Sequence, residues 1–271
     1  MPELPEVEIT RRGIAEHIAG QTVSGLVVRQ PRLRYLVPEE LATLLTGQRI
    51  DAVRRRAKYL LLDVGAGSVL IHLGMSGSLR VLPRETAPDK HDHIDIVFGE
   101  RLLRLHDPRR FGAVLWVPQP ANEHALLAHL GIEPLEEHFT GDWLFATTRK
   151  SGTPIKLWIM NAQHVVGIGN IYASESLFRA RIHPNTPAGR LSTQRCARLV
   201  ECIRQTLHDA LAAGGSTLRD FVAVNGNSGY FQQSYFVYAR EGEPCRVCTS
   251  PIRKQIMGQR STFYCPRCQR I

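Results

Sequence analysis

Residues 245–268 read CRVCTSPIRKQIMGQRSTFYCPRC, and the spacing of their four cysteines decides how this end of the chain folds. The pattern is C-x2-C-x16-C-x2-C, in which two short turns each present two thiolates to one tetrahedral metal ion. Disulfide bonds are the alternative, but they are rare in a reducing compartment. The spacing therefore predicts a zinc ribbon that holds one structural Zn²⁺ per chain, with no organic cofactor. Its predicted ligands are Cys245, Cys248, Cys265 and Cys268.

The other two cysteines, Cys196 and Cys202, lie in a helical stretch without a suitably spaced histidine. Free cysteines in such a setting usually pack as small apolar side chains. We therefore expect ordinary buried thiols at both positions.

The charge balance of the 271-residue chain favours a polyanionic partner. Lys and Arg number 34 against 25 Asp and Glu, which gives a net charge of +9 and a pI near 9.6. Nucleic acid and an anionic membrane surface both fit this excess. The apolar runs are far shorter than the roughly 18 residues that span a bilayer, and the acidic, Pro-rich start is unlike a secretory signal. We expect a soluble intracellular protein.

Hydrophobic patterning upstream of the ribbon predicts strands first and helices later. Residues 5–19 fit a helix, with Pro5 in its first turn and Gly20 after its end. Six β-branched or aliphatic runs follow between residues 22 and 117, namely TVSGLVV, YLLLDV, SVLIHL, SLRVL, HIDIVF and AVLWV. Helical periodicity then appears in PIKLWIMN, IYASESLFRARI and RCARLVECIRQTLHDALAAG. The predicted class is α+β, with an N-terminal helix and an antiparallel sandwich or barrel before a helical domain.

Six motifs in series resemble bacterial formamidopyrimidine-DNA glycosylase, a family of oxidised-purine DNA glycosylases and AP lyases. They are PELPEVE (2–8), RRRAKYLLL (54–62), HLGMSG (72–77), DPRRFG (107–112), GIGNIYASE (167–175) and QRSTFYCPRCQ (259–269). The resemblance implies a β-sandwich catalytic domain over residues 1–125, a linker over 126–139, a helix-two-turn-helix domain with a lesion-recognition loop over 140–240, and a zinc finger over 241–271. It also implies a monomer that acts on damaged double-stranded DNA, away from membranes, in the bacterial cytoplasm at the nucleoid.

The start of the chain is the predicted catalytic centre. If Met1 is removed, Pro2 has a free secondary amine, which titrates near 8 and can attack a sugar C1′ to give a Schiff base. The resemblance implies that Glu3 relays protons to the opening sugar. Glu6 is expected to support them, although a carboxylate in a first helical turn is also stabilised by the helix dipole alone. A proline that merely stiffens the N-terminus is the alternative for Pro2.

Two basic residues complete the catalytic set that the resemblance implies. Lys58 follows three arginines at the start of an apolar run, and it matches a lysine that contacts phosphate and assists elimination. Arg260 lies between the two cysteine pairs, and it matches an arginine that clamps the phosphates flanking the lesion. A solvated turn lysine and a surface arginine are the alternatives.

Three residues match side chains that enter the duplex where the damaged nucleotide has left: Met75, Arg110 and Phe111. An enzyme that reacts at C1′ must extrude its nucleotide, and apolar wedges with a donor to the widowed base fill the gap. Core packing of the Met and the Phe is the alternative.

The resemblance implies contacts to the DNA from His91, Asn170 and Lys150. His91 belongs to KHDH, which we interpret as a polar loop and not as a metal site. Asn170 follows two glycines at a helix start, where backbone amides can point at a phosphate and where Asn could equally serve as a cap. Lys150 aligns with a DNA-binding position of the family less directly.

One departure from the family pattern concerns lesion choice, since Asn227 stands where relatives commonly have lysine. We expect the loop to recognise its base through backbone amides. An oxidised-pyrimidine glycosylase of the endonuclease VIII type and a non-catalytic zinc-ribbon DNA-binding protein are the two alternatives. The PELPEVE opening favours the oxidised-purine enzyme, with excision through a Pro2 Schiff base and strand cleavage by β,δ-elimination.

Overall fold

The computed structural model describes residues 2–215 and 235–271, which divide into two compact units. The sandwich unit contains residues 2–129 and 213–215, and the helical unit contains residues 130–212 and 235–271. Within these described ranges, no helix has the length and apolar character needed to cross a membrane.

The described residues of the sandwich unit form two helices and eight strands. They are α1 (Leu4–Ile18), β1 (Gly25–Val28), α2 (Leu41–Leu45), β2 (Ala52–Arg56), β3 (Tyr59–Val64), β4 (Gly67–His72), β5 (Ser78–Pro83), β6 (Asp92–Phe98), β7 (Arg101–His106) and β8 (Ala113–Pro118), with a short 3-10 helix at Ala121–Glu123. The helix predicted over residues 5–19 is thus α1.

Two four-stranded antiparallel sheets form this unit, in the orders β1-β6-β7-β5 and β2-β3-β4-β8. One core lies between them, with Leu60 and Ile71 from one sheet and Ile96 and Leu103 from the other. Leucine and isoleucine side chains from α1 and α2 join the same core. The predicted antiparallel sandwich with an N-terminal helix is confirmed.

A buried ion network ties β6 to β7. Arg104 is only 1% exposed and donates to both carboxylate oxygens of Asp95 at 2.8 Å. Burial acts to raise the pKa of Asp95, but hydrogen bonds from Arg104 and Arg29 outweigh it, so the pKa lies below its usual value. Strand β7 can therefore place Arg104 inside the sheet, because the guanidinium is paired with Asp95.

The described residues of the helical unit form four helices and one hairpin. They are α3 (Gly141–Thr148), α4 (Ile155–Met160), α5 (Asn170–Arg179), α6 (Thr193–Ala212), β9 (Arg253–Met257) and β10 (Arg260–Tyr264), with a 3-10 helix at Ala188–Arg190. β9 and β10 pair antiparallel with Arg260 opposite Met257. A backbone hydrogen bond joins the start of this unit to the segment before α5, because Gly131 N–H donates to Ala162 O at 2.8 Å.

Candidate active site and DNA-contacting residues

Pro2, Glu3 and Glu6 are all buried at the start of α1. Glu3 is the N-cap and forms a capping box with Glu6, whose Oε2 accepts the Glu3 backbone N–H at 2.9 Å. A capping box satisfies two backbone donors of the first helical turn reciprocally. Glu6 thus fixes the backbone on which Glu3 and its neighbour Pro2 are held.

Lys58 lies in the two-residue turn between β2 and β3, where Arg56 pairs with Tyr59. Its neighbour Ala57 has a positive φ of 54°, which shapes the turn. Arg55 connects this turn to α1, because its guanidinium donates to Ala57 O at 2.9 Å and to Glu8 Oε2 at 3.2 Å. The predicted position of Lys58, in a charged turn at the start of a strand, is correct.

His72 belongs to the same region and was not singled out from the sequence. Its ring lies 5.1 Å from that of Tyr59, and its Nδ1 accepts the Gly74 backbone N–H at 3.1 Å. Burial, with the nearby charges of Arg34 and Lys58, lowers the pKa of His72 to about 4. At neutral pH the ring is therefore uncharged, and its Nε2 carries the proton as a donor.

Met75 and Phe111 are exposed by 39% and 44%, so the alternative of core packing is wrong for both. The two loops that carry them touch at Gly74, where a Cβ would lie 2.4 Å from the Phe111 carbonyl carbon. Gly74 also has a φ of +63°, which glycine adopts without strain. Arg110 is exposed on the second loop with a φ of 55°. The structure therefore brings Met75, Arg110 and Phe111 into one exposed group.

Asp107 shapes the loop that carries Arg110 and Phe111. It is fully buried, and its Oδ2 accepts the Gly112 N–H at 2.7 Å while its backbone O accepts the Arg110 N–H at 3.1 Å. The D-x-x-x-x-G spacing in DPRRFG was a usable signal for such a closed turn.

His91 lies beside the same loop, because Asp107 N–H donates to His91 O at 3.0 Å. Its half-buried ring packs at 5.9 Å against that of His106. The Oδ1 of the neighbouring Asp92 accepts a bond from Arg80 at 2.7 Å and pairs with His106 at 2.8 Å, and its Oδ2 accepts the Asp89 N–H at 2.8 Å, so both oxygens have protein partners. Only Lys90 and His91 of KHDH lie in a turn, because Asp92 and His93 are buried in strand β6, so the interpretation of KHDH as a polar loop is wrong for its second half.

The four ribbon cysteines are gathered in the helical unit, with their sulfur atoms all within 4.8 Å of one another. Cys245 Sγ lies 3.9 Å from Cys268 Sγ, and Cys248 Sγ lies 3.5 Å from Cys265 Sγ. A tetrahedral Zn²⁺ with four thiolates requires sulfur separations of about 3.8 Å, whereas a disulfide requires about 2 Å. The donor set fits one structural zinc ion.

Cys196 and Cys202, the two cysteines outside the ribbon, lie on α6. Cys196 is fully buried and Cys202 is half-buried. Burial raises the pKa of both thiols, so both remain protonated at neutral pH. Inert thiols were expected here, although only Cys196 is completely enclosed.

Arg260 is exposed at the tip of the β9–β10 hairpin, between the two cysteine pairs. The two turn residues, Gly258 and Gln259, have φ values of 51° and 60°. Positive φ at both central positions is typical of the type I′ turn, which matches the twist of a hairpin. The turn thus fixes the direction in which the chain enters Arg260.

Asn170 is the first residue of α5, and Gly169 is the N-cap, so the alternative of Asn170 as a cap is wrong. Its Oδ1 accepts a bond from Lys156 Nζ at 2.6 Å, and its Nδ2 donates to Ser261 O at 2.9 Å. Lys156 is fully buried and also donates to Thr262 Oγ1 at 2.6 Å. This network joins α4 and α5 to the strand that begins with Arg260.

Sequence reasoning selected Lys150 in this unit and missed Lys156. Lys150 is exposed in the turn after α3, whereas Lys156 makes the contacts to Asn170 and Thr262. The only signal for Lys156 was its position inside the apolar run PIKLWIM, where an unpaired lysine would be costly.

Two predicted positions, Met1 and Asn227, lie outside the described residues.

Three family models match successive parts of the chain. Residues 1–114 match the formamidopyrimidine-DNA glycosylase N-terminal domain, residues 130–222 match the H2TH domain of the same enzyme, and residues 242–271 match a zinc finger found in FPG and IleRS.

Relatives match over the whole chain. The formamidopyrimidine-DNA glycosylase of Aromatoleum aromaticum is 62% identical, and that of Thioalkalivibrio sulfidiphilus is 58% identical, each over 100% of both chains. Among solved structures, the MutM (Fpg) protein of Thermus thermophilus superimposes with a TM-score of 0.89 at 38% identity, covering 99% of this chain and 98% of that one. A Lactococcus lactis FPG mutant in complex with Fapy-dG-containing DNA has a TM-score of 0.93 at 33% identity, with 100% of both chains covered.

Proposed function

The chain belongs to the formamidopyrimidine-DNA glycosylase family, and we propose that it excises oxidised purines, 8-oxoguanine and formamidopyrimidines, from duplex DNA. The observation that supports this most is the start of α1, where Pro2 and Glu3 are buried together and Glu6 holds the Glu3 backbone. A protein that only binds DNA has no need of such a site. We also propose that it works as a monomer, at the bacterial nucleoid in the cytoplasm.

The proposed chemistry begins after Met1 is removed. The Pro2 amine forms a bond to C1′ as the glycosidic bond breaks and the base leaves with that electron pair, and opening of the C1′–O4′ bond of the sugar then gives the iminium. Glu3 transfers protons to and from the opening sugar. Meanwhile Met75 and Phe111 fill the vacated stack, and Arg110 donates to the widowed cytosine.

We propose that the same intermediate leads to strand cleavage, so that the protein is also an AP lyase. The iminium acidifies C2′, which permits β-elimination of the 3′ phosphate and then δ-elimination of the 5′ phosphate. Lys58 assists elimination, and Arg260 clamps the flanking phosphates. His91, Asn170 and Lys150 contribute contacts to the backbone. Because His72 is uncharged, its Nε2–H can donate a hydrogen bond to the DNA backbone without adding positive charge.

The ribbon cysteines would hold the zinc ion, which supplies folding energy to this short segment and takes no part in the chemical steps. The zinc-bound ribbon would position Arg260 at the tip of the β9–β10 hairpin.

Product analysis tests this proposal and its alternatives. A duplex with 8-oxoguanine opposite cytosine should yield free base and a one-nucleotide gap with phosphate at both ends, while Glu3→Gln should lose most base release with the fold intact. Faster excision of an oxidised pyrimidine would instead identify an endonuclease VIII type enzyme. Duplex binding without any excision would indicate the non-catalytic DNA-binding protein.

A further inference from the structure

A groove in the helical unit has no part in the chemistry above. It consists of two adjoining depressions of about 250 and 440 Å³ that share Arg181, Val247 and Cys268. We call it the arginine groove and define it by six residues: Arg181, Arg198, Phe236, Val247, Arg267 and Arg270.

Four of these residues are arginines without a carboxylate partner among residues 2–215 and 235–271. All four are exposed, and the groove lining contains no Asp or Glu among those same residues. A nearby fifth arginine, Arg179, is by contrast neutralised by Asp209 at 2.6 Å. The groove thus carries concentrated positive charge that the described part of the protein does not balance.

The negative charge of the zinc site would balance at most part of this positive charge. Zn²⁺ with four thiolates carries a formal charge of about −2, and two of the groove's arginines would offset it. The remaining charge is available to an external anion.

The lining is also apolar. Val247 is 59% exposed between the two depressions. Phe236 stacks on Phe178 with ring centroids 5.1 Å apart, and both rings line the smaller depression. An exposed valine next to aromatic rings, surrounded by arginines, suits a ligand that carries apolar and acidic groups together.

Arg181 stands at a position where the backbone favours glycine. Its φ is 57°, just after the end of α5. Arg181 N–H donates to Phe178 O and Ile182 N–H donates to Leu177 O, each at 3.0 Å, which is the Schellman arrangement whose left-handed position is usually Gly. Arg181 thus occupies a left-handed position, and it lines both depressions.

The groove is also remote from the hairpin tip within its own unit. Cys265 follows β10 directly, and the five residues from Arg260 to Tyr264 extend about 17 Å. A phosphate held by Arg260 is therefore not the same anion that the groove would hold.

We propose that the arginine groove binds an acidic peptide segment of a partner protein, with a large apolar side chain against Val247 and Phe236 and flanking carboxylates on Arg181, Arg198, Arg267 and Arg270. Charge complementarity and the apolar lining together favour this occupant over duplex DNA, whose backbone offers phosphates without apolar side chains.

Fluorescence anisotropy with the full-length zinc-loaded protein tests this. The probe is a short fluorescein-labelled peptide in which Asp and Glu flank a central Leu-Phe pair. We expect saturable binding that weakens by about tenfold or more in the Arg267→Glu/Arg270→Glu variant. The matched control is Arg84→Glu/Arg101→Glu, which changes the net charge equally at exposed positions of the sandwich unit and should bind the probe as the wild type does. A probe with Ser in place of Leu and Phe should bind more weakly.

Arg181→Gly separates a ligand-binding role from a structural one. It should hold or raise the melting temperature, because the left-handed strain is relieved, while it weakens probe binding several-fold. No saturable binding by the wild type, or equal losses in both double variants, would overturn the proposal. So would a loss of duplex affinity in Arg267→Glu/Arg270→Glu as large as its loss of peptide affinity, since the groove would then be a DNA surface.

Discussion

Among single residues, Glu6 has a specific hydrogen-bond partner in the structure. Its role is therefore distinct from a general helix-dipole effect. It is fully buried and accepts the backbone N–H of Glu3, the residue next to Pro2. A buried donor that loses its acceptor costs about 1–3 kcal/mol. The role we propose for Glu6 is therefore to position Glu3 through its backbone.

We predict that Glu6→Ala lowers the free energy of unfolding by about 1–3 kcal/mol and slows base release in single-turnover assays. Glu6→Gln keeps an oxygen acceptor and should recover most of both. Glu16→Ala is the control, because Glu16 is exposed on the same helix. If Glu6→Ala matches Glu16→Ala in urea unfolding and in rate, Glu6 has no such role.

His72 predicts a pH dependence of stability. Its pKa is lowered by burial to about 4, below the unfolded value near 6.5, so the unfolded state takes up the proton first as pH falls. The stability that neutral His72 contributes is present above pH 6.5 and is lost between 6.5 and 4. By linkage the loss is at most about 3 kcal/mol.

His72→Gln should flatten this part of the curve, since Gln does not titrate and can still accept the Gly74 N–H. Urea midpoints measured from about pH 7 to pH 4 for both proteins give the comparison. Parallel curves over this range would show that His72 is not held neutral.

Residues such as Lys58, Met75 and Phe111 could be selected from the sequence because local motifs carry them. His72 and Lys156 could not, because what distinguishes them is their tertiary neighbours. Burial against Tyr59 gives His72 its low pKa, and contacts to Asn170 and Thr262 keep Lys156 buried.

At the scale of helices and strands, the strands with apolar sequences could be predicted from the sequence. The strands with charged sequences could not. The sequence of β2 is AVRRR and that of β7 is RLLRLH, and neither resembles an apolar strand. β7 enters the sheet because Arg104 finds Asp95 on β6, a partner that pattern reading cannot pair with it. Helix α3 was missed because its eight residues follow directly after the predicted linker.

The zinc ribbon is the element whose removal has the clearest expected result. Cys265→Ala should lose zinc, measured by atomic absorption, and weaken duplex binding because Arg260 loses its support. Cys202→Ser is the control, since Cys202 lies on α6 and is not one of the four clustered cysteines, and it should keep both zinc and duplex binding. The near-UV circular dichroism signal and the unfolding transition of the sandwich unit should be unchanged in Cys265→Ala. Full duplex affinity without zinc would contradict this role of the ribbon.

At the scale of the whole molecule, the net charge of +9 fits a DNA substrate, yet charge alone could not exclude a membrane surface. Six motifs in order along the chain, and relatives that match 100% of it, identify DNA as the polyanion. The central claim of the proposal is that the amine of Pro2 does the chemistry.

Borohydride trapping tests that central claim most directly. The full-length protein, shown by mass spectrometry to lack Met1, is incubated with a duplex containing 8-oxoguanine opposite cytosine in the presence of borohydride. Reduction of the iminium should leave a covalent protein–DNA adduct, and peptide mapping should place it on Pro2. Pro2→Gly should still form some adduct, because it retains a primary amine. Absence of an adduct with active protein, or an adduct mapped to a lysine side chain, would contradict the account.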